Sequence, residues 1–248
     1  MNTNVLNLDI KTYINGKEIP RADVLAWELR RAIVVLKKLG VQPPNSDLQA
    51  DLQGMREQLA TLKQTLGAEG LLQRLRWELA VSDPMALLTA GLSLGARRFC
   101  ITELVVSQGT AEQFVDWFNA CARNNDEAAM LAGTPDHYVI QTRADGSQLV
   151  VETNGGSPLP ARFLIDYEDL SSLRSEADSS FPLQIAGVAR SSSGVALGGV
   201  RHQFRNEGSG FRARLLVEYP LLILPQVISG HQWHLASEFG NWIQAACR

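Results

Sequence analysis

The sequence predicts an α+β protein in which a helical N-terminal region precedes a helix-grip domain, where a curved antiparallel sheet surrounds a long C-terminal helix. Three observations predict this class. Leucines repeat with helical spacing in the first hundred residues, short alternating segments separated by turn residues follow residue 136, and residues 226–246 form one long helical pattern. We therefore divide the chain into a helical region, residues 1–99, and a helix-grip domain, residues 100–248.

The composition is that of an ordinary globular protein, with 248 residues, 45% hydrophobic residues and a net charge of −3. No apolar run approaches the roughly 20 residues that span a bilayer, and the first 20 residues lack the pattern of a secretory signal. Three widely spaced cysteines without a CxxC pair indicate a reducing compartment. We therefore expect a cytoplasmic protein without membrane partners.

Lysine and histidine are distributed unevenly along the chain. All five lysines lie in the first 63 residues, and all four histidines lie after residue 136. The C-terminal part therefore has no lysine for Schiff-base chemistry and no Lys-rich stripe for a phosphate backbone, so we expect no nucleic-acid partner. The chain also contains no GxxxxGK[ST], GxGxxG or GxSxG motif.

The N-terminal region contains three helical patterns, at residues 24–39, 48–66 and 71–81. The middle pattern, capped by Ser46 or Asp47, is a heptad seam of leucines and one methionine, and the third ends before the next proline. The seam could pack on the neighbouring helices of the same chain or on a second chain. A homodimer formed through the N-terminal helices is compatible with either arrangement.

The C-terminal part is predicted to contain two helices and six strands. The helices lie at residues 110–121 and 226–246, and the strands at residues 137–142, 148–153, 161–168, 182–190, 195–206 and 211–219.

The last helix carries the first candidate site. His231, His234 and Glu238 are spaced by three and four residues, so they share one stripe, and an HxxxE pair places an imidazole and a carboxylate within reach of one cation. His202 alternates with the apolar Val200 and Phe204, so its ring is expected to point toward this helix. A buried core histidine would follow the same pattern.

Two further residues come from the first two predicted strands. His137 begins a strand and is expected to share a face with Val139, while Glu152 is an acid in an otherwise apolar strand. Three histidines and two carboxylates without thiolates suit Zn²⁺, or less specifically Fe²⁺ or Mn²⁺. The competing interpretation is a hydrophobic carrier cavity with a few hydrogen-bonding histidines.

The order of these segments resembles the diacetylphloroglucinol hydrolase family, which includes phloretin-hydrolase-like enzymes. The matching segments are PDHY, ETNGG, GVRHQ and HLASE, and the resemblance covers roughly residues 100–248. It implies a START-like helix-grip domain and a zinc site. The ligands implied by the resemblance are His137, Glu152, His202, His234 and Glu238.

The resemblance also implies an activity, which is the metal-dependent hydrolysis of a carbon–carbon bond between an acyl group and a phenolic or β-dicarbonyl ring. The substrate would be a small aromatic or polyketide-like molecule. His231 would act as an acid or base or support a ligand, Glu238 or Glu152 would bind the metal or move a proton, and Tyr138 would contact a phenolic oxygen. Arg201 would contact a phenolic oxygen only if the register of its strand differed from the alternation that places His202 with Val200 and Phe204. A polyketide cyclase or lyase, and a non-catalytic binder of hydrophobic ligands, remain alternatives.

Overall fold

The computed structural model describes residues 8–43 and 52–247, and it confirms an α+β fold with a large antiparallel sheet and a C-terminal helix. The expected cap at Ser46 or Asp47 lies outside the described residues. Within these two ranges, nine strands form one sheet in the order β2-β1-β3-β9-β8-β7-β6-β5-β4. Their bounds are β1 (Ile10–Ile14), β2 (Lys17–Ile19), β3 (Arg97–Val106), β4 (His137–Thr142), β5 (Gln148–Glu152), β6 (Ala161–Asp166), β7 (Leu183–Arg190), β8 (Ala196–Glu207) and β9 (Gly210–Pro220).

The six strands predicted after residue 136 are confirmed, each with ends within two residues of the expected bounds. The helical prediction for residues 1–99 is wrong for β1, β2 and the start of β3, which join the same sheet. β1 and β2 are too short for their alternation to stand out beside the long helical patterns. The Asn15-Gly16 pair between them, with φ angles of 52° and 74°, is a hairpin-turn signal that the sequence does contain.

Five α-helices accompany the sheet in the described residues. They are α1 (Arg21–Lys38), α2 (Leu52–Leu92), α3 (Ala111–Arg123), α4 (Glu127–Leu131) and α5 (Pro225–Ala246). None of them is long and apolar enough to cross a bilayer.

Helix α2 runs further than the sequence predicts. Its axis breaks at Gly67, where φ is 60° and ψ is 173°, but it continues through Pro84 to Leu92. A proline removes one backbone hydrogen bond from a helix. Leu79 before Pro84 and Ala90 after it are both buried. The segments of α2 before and after the proline therefore both pack on the protein, and the helix continues through it.

Two apolar cores lie on opposite sides of the sheet. The first packs α3 and α5 on the sheet through an aromatic cluster that includes Phe114, Phe204 and Phe239. The second packs α1 and α2 against the back of β4 and β5. Met55 and Leu59 of the heptad seam are buried in this second core, so the described part of the seam packs within the chain.

Helix α5 touches the turn that follows β5. This turn, η1 (Asn154–Gly156), holds Gly155 at a φ angle of 58°. A Cβ at Gly230 of α5 would lie 1.9 Å from the carbonyl oxygen of Gly155. Only glycine allows this approach, which brings the end of β5 against one turn of α5.

Substitution of Gly230 by alanine should lower the thermal stability. The added methyl group must push α5 away from the η1 backbone, and overpacking of this kind costs about 1–3 kcal/mol. Gly70→Ala is the matched control, because its Cβ would meet Leu66 at an ordinary 3.4 Å and alanine favours helix. Thermal unfolding followed by circular dichroism checks both variants. Equal stability of the two would contradict the close approach.

Candidate metal centre

Four side chains from β4, β5 and α5 meet at one buried point. His137 Nε2 lies 3.1 Å from Glu238 Oε1, 3.4 Å from Glu152 Oε2 and 3.3 Å from His234 Nε2. His234 Nε2 lies 3.7 Å from Glu152 Oε2 and 3.9 Å from Glu238 Oε2. Both imidazole rings are fully buried, and the two carboxylates are nearly so.

Local structure explains this convergence. His137 and Glu152 are directly opposite each other in the antiparallel β4–β5 pair. His234 and Glu238 are one turn apart on α5, a helix that begins with Pro225 at its first turn. The contact between η1 and α5 then sets the helical pair against the end of β5.

The spacing of these atoms fits a single small cation. Four ligand atoms about 2.0–2.2 Å from a common centre lie about 3.3–3.6 Å apart in a tetrahedral arrangement. The distances from each imidazole Nε2 to the other and to the carboxylates, 3.1–3.9 Å, scatter around that value, with Glu238 Oε1 facing His137 and Glu238 Oε2 facing His234. Two overlapping groups have all donor atoms within 4.8 Å of one another, namely His137, His234 and Glu238, and Glu152, His231 and His234.

The second nitrogen of His137 has a partner that orients the ring. Nδ1 lies 3.2 Å from the carbonyl oxygen of Met130. A proton on Nδ1 donates to this oxygen and leaves the Nε2 lone pair directed at the cluster. Metal-binding histidines commonly use a backbone carbonyl in this way.

The charges of the cluster favour a cation at its centre. Burial alone would lower the pKa of His137, but hydrogen bonds and charges from Glu152 and Glu238 raise it to about 9. Burial raises the pKa of Glu238. Burial would also raise that of Glu152, but the neighbouring histidines lower the pKa of Glu152 to about 2. Without a metal, the proton on His137 therefore supplies the positive charge that two buried carboxylates need.

The N-terminal helices support the backbone that carries these ligands. Arg31 of α1 forms a two-point ion pair with the buried Asp136, at 2.8 and 2.7 Å. The buried Lys63 of α2 donates to the carbonyl oxygen of Pro135 at 3.0 Å, and the Thr153 amide donates to that of Asp136. These contacts fix the residues directly before His137 and after Glu152. No sequence pattern indicates the contacts of Arg31 and Lys63, because their partners are 105 and 72 positions away.

Of the two other histidines, His231 belongs to a candidate ligand group and His202 does not. His202 faces α5 as predicted, with its ring 4.7 Å from that of Phe239, but it belongs to neither ligand group in residues 8–43 and 52–247. His231 stacks on His234 at 4.6 Å and lies within ligand distance of Glu152. The three-residue spacing of His231 and His234 was the sequence signal for this adjacency.

Tyr138 does not reach the cavity beside the cluster. A β-bulge between His137 and Val139 interrupts the alternation, so both Tyr138 and Val139 pack in the second core behind the sheet. The Tyr138 hydroxyl is bonded to Thr153 instead. The predictions that Tyr138 contacts substrate and that Val139 shares a face with His137 are therefore wrong, and Ile140 is the residue on the His137 side.

Arg201 also lies away from the cavity. Its guanidinium donates to Ser175 Oγ at 3.1 Å and to Gln184 Oε1 at 2.7 Å, on the face of β8 opposite His202. The strand register is the expected one, so Arg201 is not placed to contact a phenolic oxygen of a substrate.

A cavity of about 270 Å³ lies beside the cluster. His137, Glu152, His202, His231 and Glu238 line part of it, and most of the remaining wall is apolar. Two tyrosine hydroxyls add polar groups to the wall. The Tyr167 hydroxyl donates to Gln148, and the Tyr219 hydroxyl donates to Asn154. An apolar cavity with a few convergent polar groups is typical of a small-molecule site.

No family model matches this chain, and no curated protein matches it either.

Zinc should stabilise the metal-free protein. A ligand that binds only the folded state raises the free energy of unfolding by about 2.7 kcal/mol at a free concentration of 100 times its Kd. Thermal unfolding with and without Zn²⁺ measures this shift. Mg²⁺ is the control, because it prefers all-oxygen sites. Equal shifts with both ions, or none with zinc, would contradict the assigned donor set.

Loss of the Arg31–Asp136 pair should weaken metal binding. We expect the paired substitution Arg31→Met with Asp136→Asn, which removes both members of the pair, to raise the Kd for zinc about 10–100-fold. Lys38→Met is the control, because Lys38 is on the same helix but bonds Glu78 and the carbonyl oxygen of Pro158 rather than the residues next to His137. Competition with a chromophoric chelator measures the Kd. An unchanged Kd in the paired variant would show that the ion pair does not position His137.

Proposed function

We propose that this protein is a zinc-dependent hydrolase that cleaves a carbon–carbon bond between an acyl group and a phenolic or β-dicarbonyl ring. The observation that carries the proposal is the set of four donors, His137, Glu152, His234 and Glu238, at the buried part of an apolar cavity. In this proposal the sheet and α5 form a START-like helix-grip domain, with the cavity between them.

The donor set supports zinc. Two imidazoles and two carboxylates without a thiolate suit Zn²⁺, with Fe²⁺ and Mn²⁺ as the other first-row candidates. When bound, the metal would supply Lewis-acid polarisation of a carbonyl oxygen. Both carboxylates are already near the imidazoles, so little rearrangement is needed to hold the ion.

The overall reaction adds one water molecule across the bond between the acyl carbon and the ring carbon. The acyl carbon leaves as a carboxylic acid, and the ring carbon takes a proton. His231 lines the cavity one turn from His234, and its buried Nδ1 has no hydrogen-bond partner in the described residues. Its ring is therefore placed to bond a water or substrate oxygen beside the ligands.

The cavity is suited to a flat, mainly apolar substrate. Phe163, Leu235 and Phe239 contribute to its wall, and a volume of about 270 Å³ accepts a substituted aromatic ring. The Tyr167 and Tyr219 hydroxyl oxygens, whose protons are donated to Gln148 and Asn154, can accept hydrogen bonds from hydroxyl groups on the ring. The chain thus offers apolar contact for the ring and a charged cluster for the acyl carbonyl.

The same apolar wall also supports a second candidate, a non-catalytic carrier of hydrophobic ligands. A carrier needs neither a metal nor water addition. Metal content and product mass therefore separate the two functions, and mass also separates hydrolysis from cyclisation, which conserves mass or loses water.

Metal analysis and activity together test the proposal. We expect about one zinc per chain in the purified protein, and hydrolysis of some members of a panel of acylphenols and β-diketones, with a gain of one water in total product mass. His234→Ala should lose zinc and at least 100-fold in activity. His202→Ala is the control and should keep its zinc, because His202 is outside both ligand groups. Absence of metal from the wild type, or full activity of His234→Ala, would contradict the proposal.

A further inference from the structure

The C-terminal half of α2 presents an entirely apolar surface to solvent. All exposed residues between positions 77 and 92 are apolar, and their spacing places them on one stripe of the helix. We call this stripe the α2 apolar face, and it consists of Trp77, Ala80, Val81, Pro84, Met85, Leu88, Gly91 and Leu92.

The size of this face exceeds what a monomer usually exposes. Trp77 is 72% exposed, Leu88 62% and Leu92 61%. With Val81 and Met85, both more than half exposed, the face amounts to roughly 700 Å², against about 300–600 Å² for the largest patch of a typical monomer. Leu222, whose amide donates to Ser93 Oγ, extends the apolar surface beyond the end of α2. A standard interface takes about 600–1,000 Å² from each partner, so the area of the face is within that range.

The absence of charge on the face indicates its partner. Residues 77–92 contain no lysine or arginine, whereas a helix that lies on a membrane carries them along its polar side. The two acids of this stretch, Glu78 and Asp83, are already paired with Lys38 and Arg162. Arg76 lies at the N-terminal end of the stripe, over the Trp77 ring at 5.2 Å from its centroid, so two copies can meet across a two-fold axis with no charge at the centre of the interface.

The α2 apolar face also borders the proposed substrate cavity. Ser82, Met85, Ala86 and Thr89 of the same helix line the cavity, and Met85 belongs to both the face and the lining. A molecule seated on the face would therefore cover Met85 and hold this wall of the cavity in place.

We propose that the α2 apolar face is the homodimer interface of this protein, and that the partner copy closes the cavity wall at Met85. The interface differs from the heptad seam, whose Met55 and Leu59 are buried within the chain. The inference does not depend on a metal or on any reaction.

Mass measurement by light scattering during size-exclusion chromatography tests the interface. The wild type should have twice the monomer mass, and Leu88→Glu should raise the dimer dissociation constant at least tenfold. Leu170→Glu is the matched control, because Leu170 is 41% exposed on a loop away from α2. Circular dichroism and zinc content should be the same in both variants, so loss of the dimer is distinguished from loss of fold or site.

A cysteine cross-link tests the same face independently. A two-fold axis through the middle of the face brings Met85 close to its own counterpart, so Met85→Cys should form a disulfide-linked dimer under mild oxidation. All proteins in this test carry Cys247→Ser, because Cys247 is partly exposed whereas Cys100 and Cys121 are buried, and neither Leu170→Cys nor this background alone should cross-link. A monomeric wild type, equal effects of the two glutamates, or no cross-link in a dimeric Met85→Cys protein would overturn the proposal. Binding of a monomer to phosphatidylcholine–phosphatidylserine vesicles would overturn it in favour of a membrane contact.

Discussion

Two carboxylates buried beside a mostly apolar cavity require a compensating positive charge, and the rest of the structure depends on this constraint. Glu152 and Glu238 lie almost fully inside the protein, where an unpaired charge would cost far more than one side chain contributes to stability. In the metal-free protein the imidazolium of His137 provides the charge, since its pKa rises to about 9 between the two acids. A divalent cation held by the same groups would meet the requirement more fully. The pairing of acids with imidazoles therefore favours a metal centre over a purely structural cluster.

Both sides of the sheet contribute to this arrangement. In front, η1 and α5 meet at Gly155 and Gly230, which sets the helical ligands against the strand ligands. Behind, α1 and α2 fill the second core and fix the residues next to His137 through Arg31 and Lys63. The N-terminal helices are thus part of the support of the site rather than an appendage to it. Lysines and histidines lie in different parts of the sequence, but the fold brings Lys63 of the N-terminal region next to the segment that carries His137.

Periodicity predicted those parts of the fold whose residues are close in sequence. The sequence patterns of strands β4–β9 and helix α5 involve only near neighbours, and His234 with Glu238 form a pair one helical turn apart. Periodicity could not predict features that depend on distant partners or on a local irregularity. The bulge after His137 turned Tyr138 away from the cavity, and the choice of His231 over His202 depends on how closely α5 approaches β5. No periodic pattern in the sequence indicates the bulge or the approach of α5 to β5.

X-ray absorption spectroscopy at the zinc edge tests the central claim most directly, because it reports the atoms around the metal in the intact protein. The structure predicts a shell of nitrogen and oxygen atoms at about 2.0–2.2 Å, with the outer-shell scattering of two imidazoles. That imidazole signal should fall by half in His137→Ala protein that still retains zinc. A shell containing sulfur at about 2.3 Å, or a spectrum unaffected by loss of His137, would contradict a metal centre at this cluster.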